Sequence, residues 1–463
     1  MDTLKKYARL AGIDRAIFFT LIARGWRFLA GPIGLYIIVL RFSRVEQGFY
    51  YTLRSLLSLQ IFFELGLLTV IAQFASHEFT HLRWGEDGEI LGDPESKERF
   101  ADLLYLSSNW FLAASAILVI VLVPAGLLFL DRTQANTDFP WKLPWILAVL
   151  SMGANLLMIP FYAVITGSGK IATINFLELL GGMGGTLLSW AIMLLNGGLY
   201  AAAAVGLGNF LVGVLYITSR KRRLLQASIH RFRYRRKGHK TKVAWSTEIW
   251  PMQWRLAISW MAGYFIFQMF TPALFYYQGP VIAGQMGMTM SVVNAMYGVS
   301  ASWMQTKSPV FGKMIALKQW TELDSLFKTT LKQSLGVIGV GSMLVVAVIF
   351  TLQRLHPVGV RFLPAGQVAL LMASICCNVL ISGLSIYMRA FRKEPMLGIS
   401  LAWGLMTGLS TLVFSRVSSF SVCAGYLVIS FAFAVPATYF KWKKFKRDHI
   451  VYGQLNPLEQ MVR

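Results

Sequence analysis

The segment "RKRRLLQASIHRFRYRRKGHKTK", residues 220–242, decides the fold because it divides the chain into two apolar halves. Eleven of its residues are Lys or Arg. Six hydrophobic runs precede it and six follow it, each about the 20 residues that a membrane-spanning helix needs. Because cytoplasmic loops are enriched in Lys and Arg, the segment indicates a cytoplasmic linker between two six-helix halves. A patch for lipid headgroups or a partner is the alternative.

The composition indicates a polytopic membrane protein. Of the 463 residues, 56% are hydrophobic and 14% are charged, whereas soluble domains carry about 25% charged residues. The formal net charge is +23. In such a chain, basic loops facing anionic lipid explain this excess better than nucleic-acid binding does. We therefore expect the lipid bilayer, and no nucleic acid, as a partner.

The positions of Lys and Arg predict the topology. With both termini in the cytoplasm, cytoplasmic segments carry 33 of the 44 Lys and Arg residues, external loops carry 7, and spans carry 4. This asymmetry follows the positive-inside rule. The predicted spans are 17–40, 48–76, 109–130, 143–166, 171–195, 198–219, 249–277, 280–304, 333–353, 363–388, 395–415 and 418–440.

These spans predict an all-α fold of about 12 transmembrane helices in two six-helix bundles. The predicted domains are an N-terminal bundle at 1–219, the basic cytoplasmic linker at 220–247, and a C-terminal bundle with a cytoplasmic tail at 248–463. Two halves with equal, even numbers of spans fit a parallel internal repeat, although the halves share only faint sequence similarity. The stretch "GGMGG", 181–185, predicts close packing between helices.

Four arginines interrupt the apolar spans. Arg24 and Arg27 lie one helical turn apart in "LIARGWRFLAG", residues 21–31, whereas Arg54 lies in span two and Arg255 in span seven. An Arg at the centre of a span costs roughly 2.5–3.5 kcal/mol, so it faces a polar cavity, reaches the headgroups or pairs with an acid.

Only two carboxylates, Glu64 and Glu178, lie in the predicted spans, too few to neutralise four guanidinium groups. The excess of positive charge favours a cationic cavity that binds an anion. Since guanidinium matches phosphate geometry, a phosphate or diphosphate is the expected ligand. Glu64 and Glu178 are candidates either for ion or proton coupling or for charge partners of the arginines.

The sequence "HEFTH", His77 to His81, matches the zinc-protease pattern H-E-x-x-H. In that interpretation His77 and His81 bind zinc and Glu78 is the general base. A catalytic zinc needs a third protein ligand, and no other histidine lies in a suitable acidic context. The pattern also falls at the end of span two, where polar residues meet the headgroups. We therefore predict no metal site, no cofactor and no catalytic residue.

Two stretches resemble the Wzx-type polysaccharide flippases of the multidrug/oligosaccharidyl-lipid/polysaccharide exporter (MOP) superfamily. They are "QGFYYTLRSLLSLQIFFELGLLTVIAQFASHE", 47–78, and "SPVFGKMIALKQWTELDSLF", 308–327. The resemblance implies a V-shaped pair of bundles around a central cavity, in the bacterial inner membrane. It also implies that cavity arginines of spans one, two and seven bind a diphosphate, and that the "HEFTH" match is accidental.

The predicted function is thus to flip a polyprenyl-diphosphate-linked oligosaccharide to the outer leaflet for cell-surface polysaccharide synthesis, such as O-antigen. An ion gradient or potential would drive alternating access, with no enzymatic step. Other membrane proteins of polysaccharide assembly are expected partners. The alternatives are a drug/ion antiporter of the same superfamily, the membrane zinc protease described above, and a polysaccharide polymerase or ligase. The last usually needs a large external loop, which the predicted topology lacks.

Overall fold

The computed structural model describes residues 15–85, 89–131, 139–226, 243–391 and 394–451. Within the first helix and at residues 450 and 451, some side chains also lie outside the description. The described chain is almost entirely helical, with one short hairpin of two strands. By Cα packing it forms two units, Met1–Met261 and Ala262–Arg463.

In its described residues, the first unit contains nine complete helices and the hairpin. The strands pair antiparallel, with Arg83 opposite Leu91. The helices and strands are α1 (Arg15–Arg41), α2 (Arg44–Leu57), α3 (Ile61–Glu64), α4 (Leu67–Glu78), β1 (Leu82–Trp84), β2 (Ile90–Gly92), α5 (Pro94–Asp131), α6 (Lys142–Leu156), α7 (Ile159–Gly167), α8 (Ile171–Leu194) and α9 (Ala201–Arg220).

A π-helical turn, Trp245–Ile249, leads into α10 (Trp250–Phe267), and the boundary between the units falls inside α10. The second unit continues with α11 (Phe270–Gln278), α12 (Pro280–Ala316), α13 (Trp320–Leu355), α14 (Ala365–Arg389), α15 (Leu397–Phe414), α16 (Ser419–Ile429) and α17 (Val435–Lys446). A π-helical turn, Ser430–Ala434, joins α16 to α17.

Each of the twelve predicted spans coincides with helical structure, so the all-α membrane fold is confirmed. Within the described residues, nine helical segments are long and apolar enough to cross a membrane, and a bent pair adds a tenth. The bent pair is Trp245–Phe267 with Phe270–Gln278, which meet at 45°. The other two predicted spans, 17–40 and 280–304, fall on α1 and α12, which are not among these ten. The chain is therefore a multi-pass membrane protein.

Span two is a broken helix, a feature that its hydropathy does not reveal. Leu65 and Gly66 have φ angles of 52° and 67°, in the left-handed region, between α3 and α4. Gly66 also lies against α10, because a Cβ there would be 3.4 Å from the Cβ of Leu256. Glycine is the residue that accepts this φ without strain and permits close contact.

The predicted close packing at "GGMGG" is confirmed. A Cβ at Gly185 would lie 2.6 Å from the Cα of Val205, so α8 and α9 touch along their backbones. Small residues allow such contact between membrane helices, where van der Waals packing replaces the hydrophobic effect.

The domain division at 1–219, 220–247 and 248–463 stays a prediction. Residues 227–242, most of the basic linker, lie outside the described residues. The two units divide between Met261 and Ala262, inside span seven.

Candidate functional site

The first two predicted site residues, Arg24 and Arg27, lie in α1. Their backbone is helical, which places them one turn apart, as the spacing predicts. Their side chains lie outside the described residues. Their part in binding an anion stays a prediction.

Arg54 is the exposed residue within an otherwise buried stretch of α2. From Gln47 to Leu57, a stretch described in full, every residue except Arg54 is buried. The capping box at the start of α2, in which Ser43 and Glu46 exchange hydrogen bonds, fixes the rotation of the helix. Its exposed side chain sets Arg54 apart from the packed residues on either side of it.

The neighbours of Arg54 are aromatic rather than acidic. Its Nη1 donates to the Tyr50 hydroxyl at 3.5 Å, and its Cζ lies 5.7 Å from the centroid of the same ring. Among the residues that the structure describes, no carboxylate lies within 4.0 Å of this guanidinium. A cation inside a membrane that has no acid beside it is suited to binding an anion.

Arg255 shares these properties. It lies in the second turn of α10, its side chain is exposed, and its Cζ is 5.5 Å from the Trp254 ring centroid. In the described part of the chain it forms no ion pair. The neighbouring Gln253 is fully buried, and neither its Oε1 nor its Nε2 has a hydrogen-bond partner there. Arg255 thus lies two residues from a buried amide that has no hydrogen-bond partner in the described residues.

Glu64 ends α3, directly before the left-handed residues Leu65 and Gly66. Its side chain is half-buried, and it has no ion-pair or hydrogen-bond partner among the described residues. The expectation that Glu64 neutralises an arginine is therefore unsupported within that part of the chain. A carboxylate at a helix break inside a span is suited to binding a cation or a proton.

Glu178 lies on α8 with an exposed side chain, and it interacts electrostatically with Tyr162 of α7. The environments of the two predicted acids therefore differ. Whether either residue couples transport to an ion stays a prediction.

The "HEFTH" segment does not form the helix that a zinc protease needs. Helix α4 ends at Glu78, so His77 is helical whereas His81 follows in a turn. Glu78 accepts a hydrogen bond from Arg99 Nε at 2.9 Å, so the supposed general base is part of an ion pair. Across the described residues, no group of three His, Cys, Asp or Glu side chains could hold a metal.

Arg99 is the centre of an ion-pair cluster that the sequence did not reveal. Besides Glu78, it binds Glu248 Oε2 at 2.8 Å through Nη2. One guanidinium thus joins the end of α4, the start of α5 and the π-helical turn before α10. Because these residues are 21 and 149 positions from Arg99, no local motif identifies the cluster.

Comparison with known proteins identifies the fold. No family model matches the sequence, and no curated protein matches it. The lipid II flippase MurJ, in an inward closed conformation, is similar over 94% of this chain and 91% of its own, with a TM-score of 0.56 and 12% identity.

Two further solved structures are similar. An inward-facing multidrug resistance MATE transporter of the MOP superfamily matches 91% of this chain and 99% of its own, with a TM-score of 0.52 and 13% identity. A MOP superfamily transporter from Pyrococcus furiosus matches 93% of this chain and 94% of its own, with a TM-score of 0.51 and 12% identity. The chain therefore has the fold of MOP superfamily transporters.

Proposed function

We propose that this protein is a flippase that moves a polyprenyl-diphosphate-linked oligosaccharide from the inner to the outer leaflet of a bacterial cytoplasmic membrane. It acts without a chemical step, and its product serves cell-surface polysaccharide synthesis. The observation that carries the proposal is Arg54, the exposed cation of the otherwise buried stretch 47–57, with no carboxylate beside it in the described structure.

The diphosphate is the part of such a substrate that Arg54 would bind. Two phosphates offer several oxygen acceptors, and a guanidinium donates to a phosphate through two parallel N–H groups. Arg255 has the same exposure and the same lack of an acid among the described residues. With Arg24 and Arg27, these residues would give the headgroup successive cationic contacts along spans one, two and seven.

The similarity to MurJ supports this proposal, because that protein is a flippase of lipid II. The predicted cavity between the two bundles, the cytoplasmic position of both termini and the participation of other polysaccharide-assembly proteins belong to the same proposal. The glycan then crosses within the protein while the polyprenyl chain stays in the lipid.

Deletion of the gene in its own host tests the proposal. Lipid-linked oligosaccharide should accumulate in the inner leaflet, and a plasmid copy of the wild type should restore surface glycan. An Arg54→Ala copy should fail, whereas Arg44→Ala, which removes an exposed cation at the start of the same helix, should restore it. Normal surface glycan in the deletion strain, or equal rescue by Arg54→Ala, would refute the assignment.

Glu64 favours one second candidate, a drug/ion antiporter. A carboxylate without a partner in the described structure is suited to an organic cation or a coupling ion, and the MATE transporter described above has a similar fold. A drug-resistance assay separates the two functions. An antiporter would raise resistance to cationic drugs in a Glu64-dependent way, whereas a glycan flippase would leave resistance unchanged.

A further inference from the structure

Two lysines lie against one tryptophan ring at one end of the first unit. Lys221 Nζ is 3.3 Å from the centroid of the Trp84 ring, and Lys170 Nζ is 4.7 Å from it. Trp84 ends β1, Lys170 lies between α7 and α8, and Lys221 directly follows α9. Three connections between spans therefore converge on this cluster, beyond the ends of the membrane helices.

Within the part of the chain that the structure describes, the cluster has positive charge and no acid to balance it. Lys221 is only 5% exposed, and a buried ammonium group normally has a carboxylate partner. Among the described residues, neither Lys221 nor Lys170 has one within 4.0 Å. Glu89 on the hairpin is already engaged by Arg223 at 2.7 Å and by Lys97 at 3.8 Å.

Trp84 adds a third donor without an acceptor. Its Nε1 is buried and has no hydrogen-bond partner in the described part of the molecule. Contact with the face of the indole ring partly offsets the burial of one ammonium group, but it satisfies neither the second ammonium group nor the indole N–H. Three donors that have no acidic acceptor among the described residues are chemically complementary to an anion.

We propose that Trp84, Lys170 and Lys221 form a phosphate-binding site at this end of the first unit. The ligand is a phosphate group, either free or in the headgroup of an anionic phospholipid. Phosphate supplies several oxygen acceptors, which suits ammonium groups acting as flexible point charges together with one indole N–H. Lys170 is half-buried and gives the anion access to the more enclosed Lys221. The site is separate from Arg54 and independent of the proposed flippase activity.

The experiment uses the full-length protein in a non-ionic detergent and measures binding by native mass spectrometry. One arm titrates inorganic phosphate. The other titrates short-chain phosphatidylglycerol, with phosphatidylcholine of the same chain length as the control lipid. We expect saturable binding of one phosphate group in at least one arm. Saturation in the first arm assigns free phosphate, and saturation confined to phosphatidylglycerol assigns the headgroup.

Variants locate the bound phosphate. Lys170→Gln/Lys221→Gln should weaken binding at least about tenfold, because it removes both charge-assisted contacts. Trp84→Phe keeps an aromatic ring but removes the N–H, so binding should weaken by a smaller factor. Arg222→Gln makes the same change of charge at the exposed neighbour of Lys221 and should leave affinity unchanged.

A melting curve of each variant checks that it is folded. If the double variant does not fold, Lys170→Gln and Trp84→Phe alone supply the test, since both residues are only half-buried. The proposal is overturned if the wild type shows no saturable binding in either arm. It is also overturned if folded Lys170→Gln and Trp84→Phe bind phosphate as tightly as the wild type does.

Discussion

The two units differ in how they place charge in the membrane. All four span arginines and both span carboxylates lie before Ala262, whereas the predicted spans of the second unit contain no Asp, Glu, Lys or Arg. Arg54, Arg255 and Glu64 have no ion-pair partner in the part of the first unit that the structure describes. Unpaired charge in a membrane is costly and is retained for function.

In the second unit, neutral polar side chains form hydrogen bonds between helices. Asn378 Nδ2 donates to the buried Tyr426 hydroxyl at 2.6 Å, and Ser334 donates to the Ser300 carbonyl at 2.6 Å. Its described ion pairs lie at helix ends, where Lys446 binds Asp324 and Arg389 binds Glu394. From this difference we propose that the first unit binds the charged part of a substrate, because the predicted spans of the second unit carry no charged residue.

The largest expected effect comes from the arginines of span one. Arg24→Ala or Arg27→Ala should each reduce glycan export more than tenfold, because each removes charge-assisted hydrogen bonds of about 1.5–3 kcal/mol. The measurement is surface glycan in a deletion strain, normalised to inserted protein. Arg354→Ala, at the end of α13 in the second unit, is the matched control and should export normally. If Arg24→Ala and Arg27→Ala export as much glycan as Arg354→Ala does, the proposed difference in function between the two units is wrong.

A smaller effect is expected from the framework of the second unit. Tyr426→Phe leaves the buried Asn378 amide without its partner, so the free energy of unfolding should fall by about 1–3 kcal/mol. The readout is thermal unfolding in detergent. Tyr439→Phe, which removes an exposed hydroxyl, should melt like the wild type. Export per folded Tyr426→Phe molecule should be unchanged, and a specific export defect would show that the second unit also binds substrate.

The break in span two offers a finer test. Gly66→Ala places a Cβ on a residue with a φ of 67°, next to Leu256. The left-handed backbone costs a non-glycine residue roughly 1 kcal/mol, so the melting temperature should fall. Gly298→Ala is the control in the second unit, because it is helical and has open space at its Cβ position. That change should leave stability unchanged or raise it slightly. A melting curve of Gly66→Ala equal to that of the wild type would argue against a left-handed backbone at Gly66.

The smallest effect concerns Lys221. Burial, and then the nearby Lys170 ammonium, lowers the pKa of Lys221 to about 8 from its usual value of 10.5. Between these two pH values the unfolded chain holds a proton that the folded protein has lost, so stability rises with pH. Lys221→Met should reduce the rise of the melting temperature with pH over this range. A rise as steep as that of the wild type would contradict the lowered pKa of Lys221.

The sequence predicted the spans well because a long apolar run has few alternatives in a membrane. It did not predict the break at Leu65 and Gly66, since a single glycine within an apolar run is equally compatible with a continuous helix. It identified Arg54 and Arg255 from their cost in lipid. The exposure of Arg54 could not be predicted, because it depends on the rotation and packing of α2.

Tertiary clusters were the least predictable feature. Trp84, Lys170 and Lys221 are ordinary loop residues in the sequence, and they meet only because the connections between spans fold together at one end. The same holds for Arg99, which joins Glu78 to Glu248 across three chain segments. The zinc-protease pattern shows the reverse case. The sequence matches the pattern H-E-x-x-H, but the helix that the pattern requires does not form, because α4 ends inside the motif.

The central claim is that the first unit carries a substrate diphosphate on unpaired guanidinium groups. The most direct measurement is translocation of a fluorescent polyprenyl-diphosphate oligosaccharide in proteoliposomes, detected by protection from an external quencher. Wild-type protein and Arg44→Gln should move the lipid across the bilayer, whereas Arg54→Gln, reconstituted in equal amount, should not. Equal translocation by Arg54→Gln and the wild type would contradict the account.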